Sequence, residues 1–454
     1  MTSIRQSLFG MRGFVLIWVG QMASMLGSGM TNFAVAYWIF QQTGEATALT
    51  LAMFAFMLPS VLFSPVAGAL VDRFNRKHVL IASDVISGIG TASMLLMIYV
   101  GNLEIWHIYI ANFLAGLGNA FQFPAYSAAV TLMLPKKHYA RASGMLSMAA
   151  SASMIMAPAF AAALLAPVGL AGIMSLDLLS FGIAMTTLAL VIIPEPDATD
   201  AANQEGKGSL WQESIYGFRY IWQRGSLLGL QLVFFAINFL AMFGFAVLVP
   251  MILARTGNNE IALASVQSIG AVGGVLGGLL LSTWGGPRRK IHGVLLGMIL
   301  SSILGQMLMG IGQTLFIWAT AAFMTQFFLP ILNGSNQAIW QAKVPPHLQG
   351  RVFAVRRLIA QVTAPLATLL AGPMADRLFE PAMQPGGAWV ELFGWLVGSG
   401  PGAGMSLMFI LFGGLGALTG LVSYFIPAIR QVEERLADHD AVTAVVQPTP
   451  AAAD

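Results

Sequence analysis

Charge is what this sequence has least of. Asp, Glu, Lys and Arg make up 9% of its 454 residues, against about 25% in an ordinary soluble protein. So few charges cannot clothe a water-facing surface of that size. This excludes a soluble enzyme, a nucleic-acid-binding domain and a disordered scaffold. Cysteine is absent, and with it go disulfides, thiolate metal sites and cysteine nucleophiles. The 6 His lie near span ends or in loops, and His107, His138 and His292 have no metal-ligand spacing, so neither a metal site nor a histidine proton relay is expected. No Walker A sequence occurs, so ATP-driven transport by this chain is not expected either. What is present is 57% hydrophobic residues, 49 Gly and 26 Met, with a mean hydropathy of +0.76. That composition points to a polytopic helical membrane protein, in which glycine is commoner than in soluble helices.

A spanning helix needs about 20 mainly apolar residues. Twelve stretches qualify: 14–40, 46–71, 78–100, 104–134, 141–166, 169–193, 227–254, 259–283, 291–311, 314–341, 351–375 and 402–427. The first is too long for a signal peptide and reads as a retained span. The polar stretch 194–226 opens with Pro194 and Pro196. It closes with Trp211, Ile215, Phe218, Ile221 and Trp222 at helical spacing, the pattern of an amphipathic helix on the membrane surface. It divides the chain into an N-terminal bundle, 1–193, and a C-terminal bundle, 227–429, of six helices each. From Arg430 a polar tail, 430–454, is expected to be disordered. With both termini in the cytoplasm, every Lys and Arg except Arg255 and Arg377 falls on the cytoplasmic side, as the positive-inside rule requires.

The loop after span 2 reads Gly68-Ala-Leu-Val-Asp72-Arg73-Phe-Asn75-Arg76-Lys77. It resembles motif A of the major facilitator superfamily, with Asn75 where that motif has glycine; asparagine also tolerates positive φ. The resemblance implies an all-α fold of twelve transmembrane helices in two six-helix bundles related by a pseudo-twofold axis. It also implies a cytoplasmic latch of Gly68, Asp72, Arg73, Arg76 and Lys77. Asp84, near the cytoplasmic end of span 3, is expected to join that latch with Arg356 or Arg357. Gly372-Pro-Met-Ala-Asp376-Arg377 ends span 11 on the opposite side. Spans 2, 5, 8 and 11 correspond in such transporters, so Asp376 and Arg377 are an outer-latch candidate. Phe123-Pro124-Ala125, Arg141-Ala142-Ser143-Gly144, Gly350-Arg351-Val352-Phe353 and Ala371 to Arg377 resemble the macrolide-efflux and enterobactin-exporter branch of proton antiporters. Span 4 departs from the pattern, with Asn112 in place of the usual arginine.

Asn and Gln are costly against lipid, so their placement is informative. Span 1 holds Gln21 and Asn32; span 4 Asn112, Asn119 and Gln122; span 7 Gln231 and Asn238; span 10 Gln326, Asn333, Asn336 and Gln337. The remaining spans hold Gln267, Gln306 and Gln361. Spacings of seven, close to two helical turns, put Asn112 with Asn119, Gln231 with Asn238 and Gln326 with Asn333 on shared faces. In the superfamily, helices 1, 4, 7 and 10 line the central cavity. A polar, uncharged cavity is expected here, with Tyr126 among its aromatic walls. Interhelical hydrogen bonding is the plainer explanation, but it would not favour those four spans.

Acidic residues inside spans default to functional hypotheses. Asp177, deep in span 6, is the candidate for proton coupling; a buried structural Asp bonded to Ser or to backbone is the alternative. The expected function is therefore secondary transport, not enzymatic catalysis: proton-coupled export of a hydrophobic or amphipathic compound, macrolide-like drugs first. A monomer in the cell membrane is expected, with no cofactor and no nucleic-acid partner. A lipid or lysophospholipid flippase, a siderophore exporter and a non-transporting sensor or scaffold are the alternatives. The outer segment Phe379–Gly398, with Trp389 and Trp395, reads as a re-entrant or interfacial cover.

Overall fold

Glycines and prolines just beyond long apolar runs set the helix ends. The computed structural model describes residues 10–64, 67, 74–134, 139–193, 217–436 and 438. Helix α1, Met11–Thr43, stops at Gly44, whose φ of 66° returns its N–H to the Phe40 carbonyl. Helix α2 covers Ala46–Leu62 and α3 covers Arg76–Val100. Helix α4, Ile105–Met133, starts from a Glu104–His107 capping box. A run from Tyr139 to Leu190 is broken at Gly169, with φ 66° and ψ −176°. That separates α5 (139–168) from α6 (170–190), where the sequence also breaks.

The second half runs α7 Gly225–Thr256, α8 Glu260–Trp284, α9 Lys290–Ile311 and α10 Leu315–Lys343. Helix α11, Pro346–Met374, continues through a π-helical turn, Ala375–Phe379, to Met383. Helix α12 is Ala403–Phe425. No strand occurs among the described residues. Nine helical stretches there are long and apolar enough to cross a membrane. One of them, Met148–Leu190, is the pair divided at Gly169, and α2, Ala46–Leu62, is a shorter apolar helix. Helix α4 is long enough but more polar, because it carries Asn112, Asn119 and Gln122. The arrangement is consistent with twelve spans. Exposed leucines such as Leu96, Leu179, Leu232 and Leu418 suit surfaces that face hydrocarbon.

The chain forms two compact units. One gathers residues 1–206 with 245–271 and 365–407; the other gathers 207–244, 272–364 and 408–454. This division runs differently from the cut the sequence suggests between 193 and 227. The first unit takes in the end of α7, the first half of α8 and the later part of α11, which bond to its helices. The Ser268 hydroxyl donates to the Ile155 carbonyl at 2.7 Å, and the Tyr37 hydroxyl donates to the Asn258 carbonyl at 3.2 Å. Phe14, Ile17, Leu80, Met133 and Leu188 build its core near the starts of α1 and α3. In the second unit Leu227, Leu230, Ile291, Leu295, Trp340 and Val355 form the core. There Gly273 and Gly277 sit directly against the backbone of Phe323 and Phe327, so this glycine run serves close packing of α8 on α10.

Three local expectations change. Asn75 has φ −59° and needs no left-handed backbone; it caps α3 instead, accepting from the Lys77 N–H at 3.0 Å and the His78 N–H at 3.4 Å. Of the amphipathic segment, only residues from 217 lie among those described. There Ile221 and Tyr220 are buried while Phe218 and Trp222 are exposed, so Ile221 points away from the other two. The tail also stays ordered past Arg430. Val432 and Ile429 are buried in the second unit's core, and Glu433 caps α9 by accepting from the Lys290 and Ile291 N–H groups at 3.1 and 2.9 Å. The Lys343 ammonium, at the end of α10, donates to the Glu433 carbonyl at 2.6 Å, the Leu436 carbonyl and the Asp438 carboxylate at 2.7 Å. The polar composition hid these two apolar anchors and the helix ends they reach.

Replacing Lys343 by methionine removes all three bonds at once and is expected to cost about 1–3 kcal/mol. Arg289→Ala, which breaks only the exposed pair with Glu434 at 2.9 Å, should cost under about 1 kcal/mol. Thermal unfolding of the two variants in the same detergent compares them; equal melting temperatures would contradict the clamp.

Candidate functional site

Close helix approach brings polar side chains together in the first unit. A Cβ at Gly90 would lie 2.9 Å from the Ala111 carbonyl, and one at Gly118 would lie 2.6 Å from the Ser83 carbonyl. Small residues thus let α3 and α4 press together, which sets Asp84 of α3 against Gln122 of α4. Gln122 Nε2 donates to Asp84 Oδ1 at 2.6 Å, and Gln21 Nε2, from α1, donates to Oδ2 at 3.1 Å. Gln122 Nε2 also faces Gln21 Oε1 at 3.5 Å. Tyr126, one turn further along α4, has a buried hydroxyl with no hydrogen-bond partner. Asp84 itself is only 6% exposed, and its hydrogen-bond partners are both uncharged.

Asp177 of α6 is equally deep, at 4% exposure, but differently held. It accepts from the Ser28 hydroxyl of α1 at 3.0 Å and the Thr91 hydroxyl of α3 at 3.4 Å. Gly27 allows this, since a Cβ there would lie 3.0 Å from the Asp177 Cα. Asp177 thereby ties α1, α3 and α6. Asn112 donates to the Ala52 carbonyl of α2 at 3.0 Å. Asn119 is exposed and accepts from the Ser60 hydroxyl, also on α2, at 3.0 Å. Asn32 is exposed.

In the second unit the polar residues gather around a cation. Arg356 Nη1 donates to Gln337 Oε1 at 2.7 Å, and the guanidinium lies 5.3 Å from the Trp340 ring centre. Gln231 donates to the Arg356 carbonyl at 3.4 Å. Asn336 is buried with an unpartnered Oδ1. Asn333 is exposed, while Asn238 and Gln326 are half-buried. The uncharged polar set expected from the sequence therefore needs correction. Asp84 belongs with Gln21 and Gln122, and Arg356 with Gln231 and Gln337, so each set holds one charge. In the sequence, the positions of Asp84 and Arg356 near span ends suggest the cytoplasmic latch instead. Gly68, Asp72 and Arg73, on which that latch depends, lie outside the described residues. Lys77 donates to the Ala189 and Val191 carbonyls at the end of α6, both at 2.8 Å, Arg76 opens α3, and Arg357 is exposed.

At the opposite end, Asp376 lies in the π-helical turn of α11. Its carboxylate accepts from the Ala46 N–H at 3.0 Å and the Thr47 N–H at 2.6 Å, capping α2. Gly372, one turn earlier, sits directly on Thr47 and Thr50. Arg377 is exposed, so Asp376 engages a helix end and not its neighbour's charge. The sequence reading missed Glu380, which accepts from the Gly402 and Met405 N–H groups at 3.0 and 2.8 Å and so caps α12. Its spacing of four from Asp376 was the available signal. In the segment 379–398, α11 runs on to Met383 and a turn leads to a short helix, Val390–Val397, whose Trp395 is exposed. No group of three metal-binding side chains occurs among the described residues.

Long apolar helices, with polar side chains gathered on α1, α4, α7 and α10, mark a multi-pass membrane protein of the transporter type. The chain belongs to the Major Facilitator Superfamily, whose family model matches residues 17–368. Macrolide efflux protein A of Streptococcus pyogenes is 29% identical over 376 residues, 80% of this chain and 90% of that protein. Multidrug efflux pump Tap of Mycolicibacterium fortuitum is 24% identical over 428 residues, 92% of this chain and 97% of the pump. Among solved structures, a bacterial homologue of the human lysosomal transporter Spinster matches with a TM-score of 0.63 at 16% identity, covering 92% of this chain and 96% of its own. A bacterial homologue of the iron transporter ferroportin matches with a TM-score of 0.63 at 13% identity, covering 90% and 98%. These two show the fold.

Asp376→Ala strips the first amides of α2 of their acceptor and should destabilise the protein by about 1–2 kcal/mol. Asp376→Asn should recover part of that, and Arg377→Ala should stay within about 0.5 kcal/mol of wild type. Melting curves in detergent give the ranking, which would fail if Arg377→Ala were the most damaging.

Proposed function

We propose that this chain is a proton-coupled exporter of hydrophobic or amphipathic compounds, macrolide-like drugs first, working by alternating access. The N-terminal bundle, 1–193, and the C-terminal bundle, 227–429, rock about a site near the bilayer midplane. The loop Gly68–Lys77 latches the cytoplasmic side, and Asp376 holds the outer end of α11 to α2. The protein works as a monomer in the cell membrane with both termini in the cytoplasm, and the proton gradient is its only energy source.

The observation that carries this reading is a pair of carboxyls, Asp84 and Asp177, buried within the helices of the first unit with only neutral hydrogen-bond partners. A buried carboxylate without a counter-cation is costly, and uptake of a proton relieves the cost. The efflux names carried by the relatives support a drug-like cargo. A second reading, export of an anionic amphipath of the siderophore type, draws on Arg356 among Gln231 and Gln337.

Proteoliposomes with an acidic interior test the reading against a panel of a macrolide, a lysophospholipid and a siderophore. Macrolide accumulation that a protonophore abolishes is the expected result. Accumulation indifferent to the protonophore, or transport of the lysophospholipid alone, contradicts it.

A further inference from the structure

We propose that Asp84, held between Gln21 and Gln122, is the group at which proton binding is turned into a change in the polar face offered to substrate. This rests on the proton-coupled reading above and assigns the coupling step to one of the two buried carboxyls.

The two carboxyls differ in the chemistry of their partners. Asp177 is held by hydroxyls, from Ser28 and Thr91. A hydroxyl donates to a carboxylate and, after rotation about one bond, accepts from a carboxylic acid. Protonation of Asp177 therefore asks no side chain to move and tells the rest of the protein nothing. Asp84 is held by carboxamide nitrogens, from Gln21 and Gln122, and an amide NH2 group can only donate. A proton placed on Oδ1 along the 2.6 Å line to Gln122 Nε2 sets donor against donor. Turning the Gln122 carboxamide over relieves that clash, because Oε1 then accepts the proton.

The surroundings suit such a turn. Gln122 Nε2 gives up a distant contact with Gln21 Oε1, at 3.5 Å. Tyr126, four residues on and so on the same helix face, has a buried hydroxyl without a partner that can take the displaced amide. Gln122 is half-buried, and Asn119, three residues earlier on that face, is exposed. The turn therefore reaches the open side of α4. Among the described residues, the groups that interact with Asp84 from other helices are neutral: Gln21 on α1, and Gln122 and Tyr126 on α4. Loss or gain of the proton is thus the only change of charge at the cluster. In the charged state Gln122 spends its donor on Asp84; in the protonated state it spends its acceptor. Substrate bonded to the carboxamide's free end meets opposite hydrogen-bonding characters in the two states, so its binding and the proton's are linked.

The test uses the full chain in detergent, weakly buffered, with a pH indicator and a macrolide added to saturation. Wild type should release on the order of one proton per macrolide bound, with affinity tightening as pH rises. Asp177→Asn should release as wild type does, and Asp84→Asn should bind with the release lost. Gln122→Leu, which keeps the carboxyl but not the carboxamide, should bind with an affinity that no longer varies with pH. Full release from Asp84→Asn, or loss of release in Asp177→Asn, overturns the assignment while leaving proton coupling in place. Should Asp84→Asn not fold, Gln122→Leu decides alone, and a pH dependence like that of wild type overturns the proposal. Macrolide binding to wild type with no release overturns the proton-coupled reading itself.

Discussion

A charge placed among apolar helices must find its compensation within the chain, because neither water nor a mixed ionic surface is there to supply it. With 9% charged residues, opposite charges are seldom within reach, and the partners are mostly helix ends, hydroxyls and carboxamides. Asp376 spends both oxygens on the first amides of α2, Glu380 on those of α12 and Glu433 on those of α9. Lys343 spends its ammonium largely on carbonyls of the C-terminal segment. Helix ends carry unpaired amides or carbonyls and a partial charge of matching sign, so each such contact satisfies two needs at once. The helices are tied to one another at their ends by these contacts, and along their lengths by glycines that admit close backbone approach.

Asp84 and Arg356 stand apart from that pattern because their side chains pair with glutamines inside the bundles. A glutamine reaches a charge of either sign, donating to a carboxylate and accepting from a guanidinium, and it can reverse its ends. A charge held this way is stable enough to fold and cheap enough to change.

Much of the fold was legible in the residues. Apolar runs of membrane length placed the helices, the break between spans 141–166 and 169–193 fell at the turn between α5 and α6, and Asp72-Arg73 with its neighbours pointed to the superfamily. The polar content of span 4 also singled out α4 correctly as the helix of Asn112, Asn119 and Gln122. What was not legible was pairing across the sequence. Asp84 lies near the start of α3 and looked like a loop-side residue until Gly118 brought α4 against it. Arg356 looked like part of a basic cluster until Gln337 met it. Glu380 and Glu433 carry no motif; only the fold shows that each lands on a helix end. Asn75 illustrates the same limit locally, since its capping role and a left-handed turn are both natural to asparagine.

The central claim is that proton and substrate meet at a buried carboxyl in the first unit. Infrared difference spectroscopy reads this most directly, as the change in the carboxyl C=O stretch when a macrolide is added to the wild-type protein. A protonated-carboxyl band should disappear on macrolide binding, and this change should be missing from Asp84→Asn. A wild-type spectrum in which no carboxyl changes its protonation on binding would contradict it.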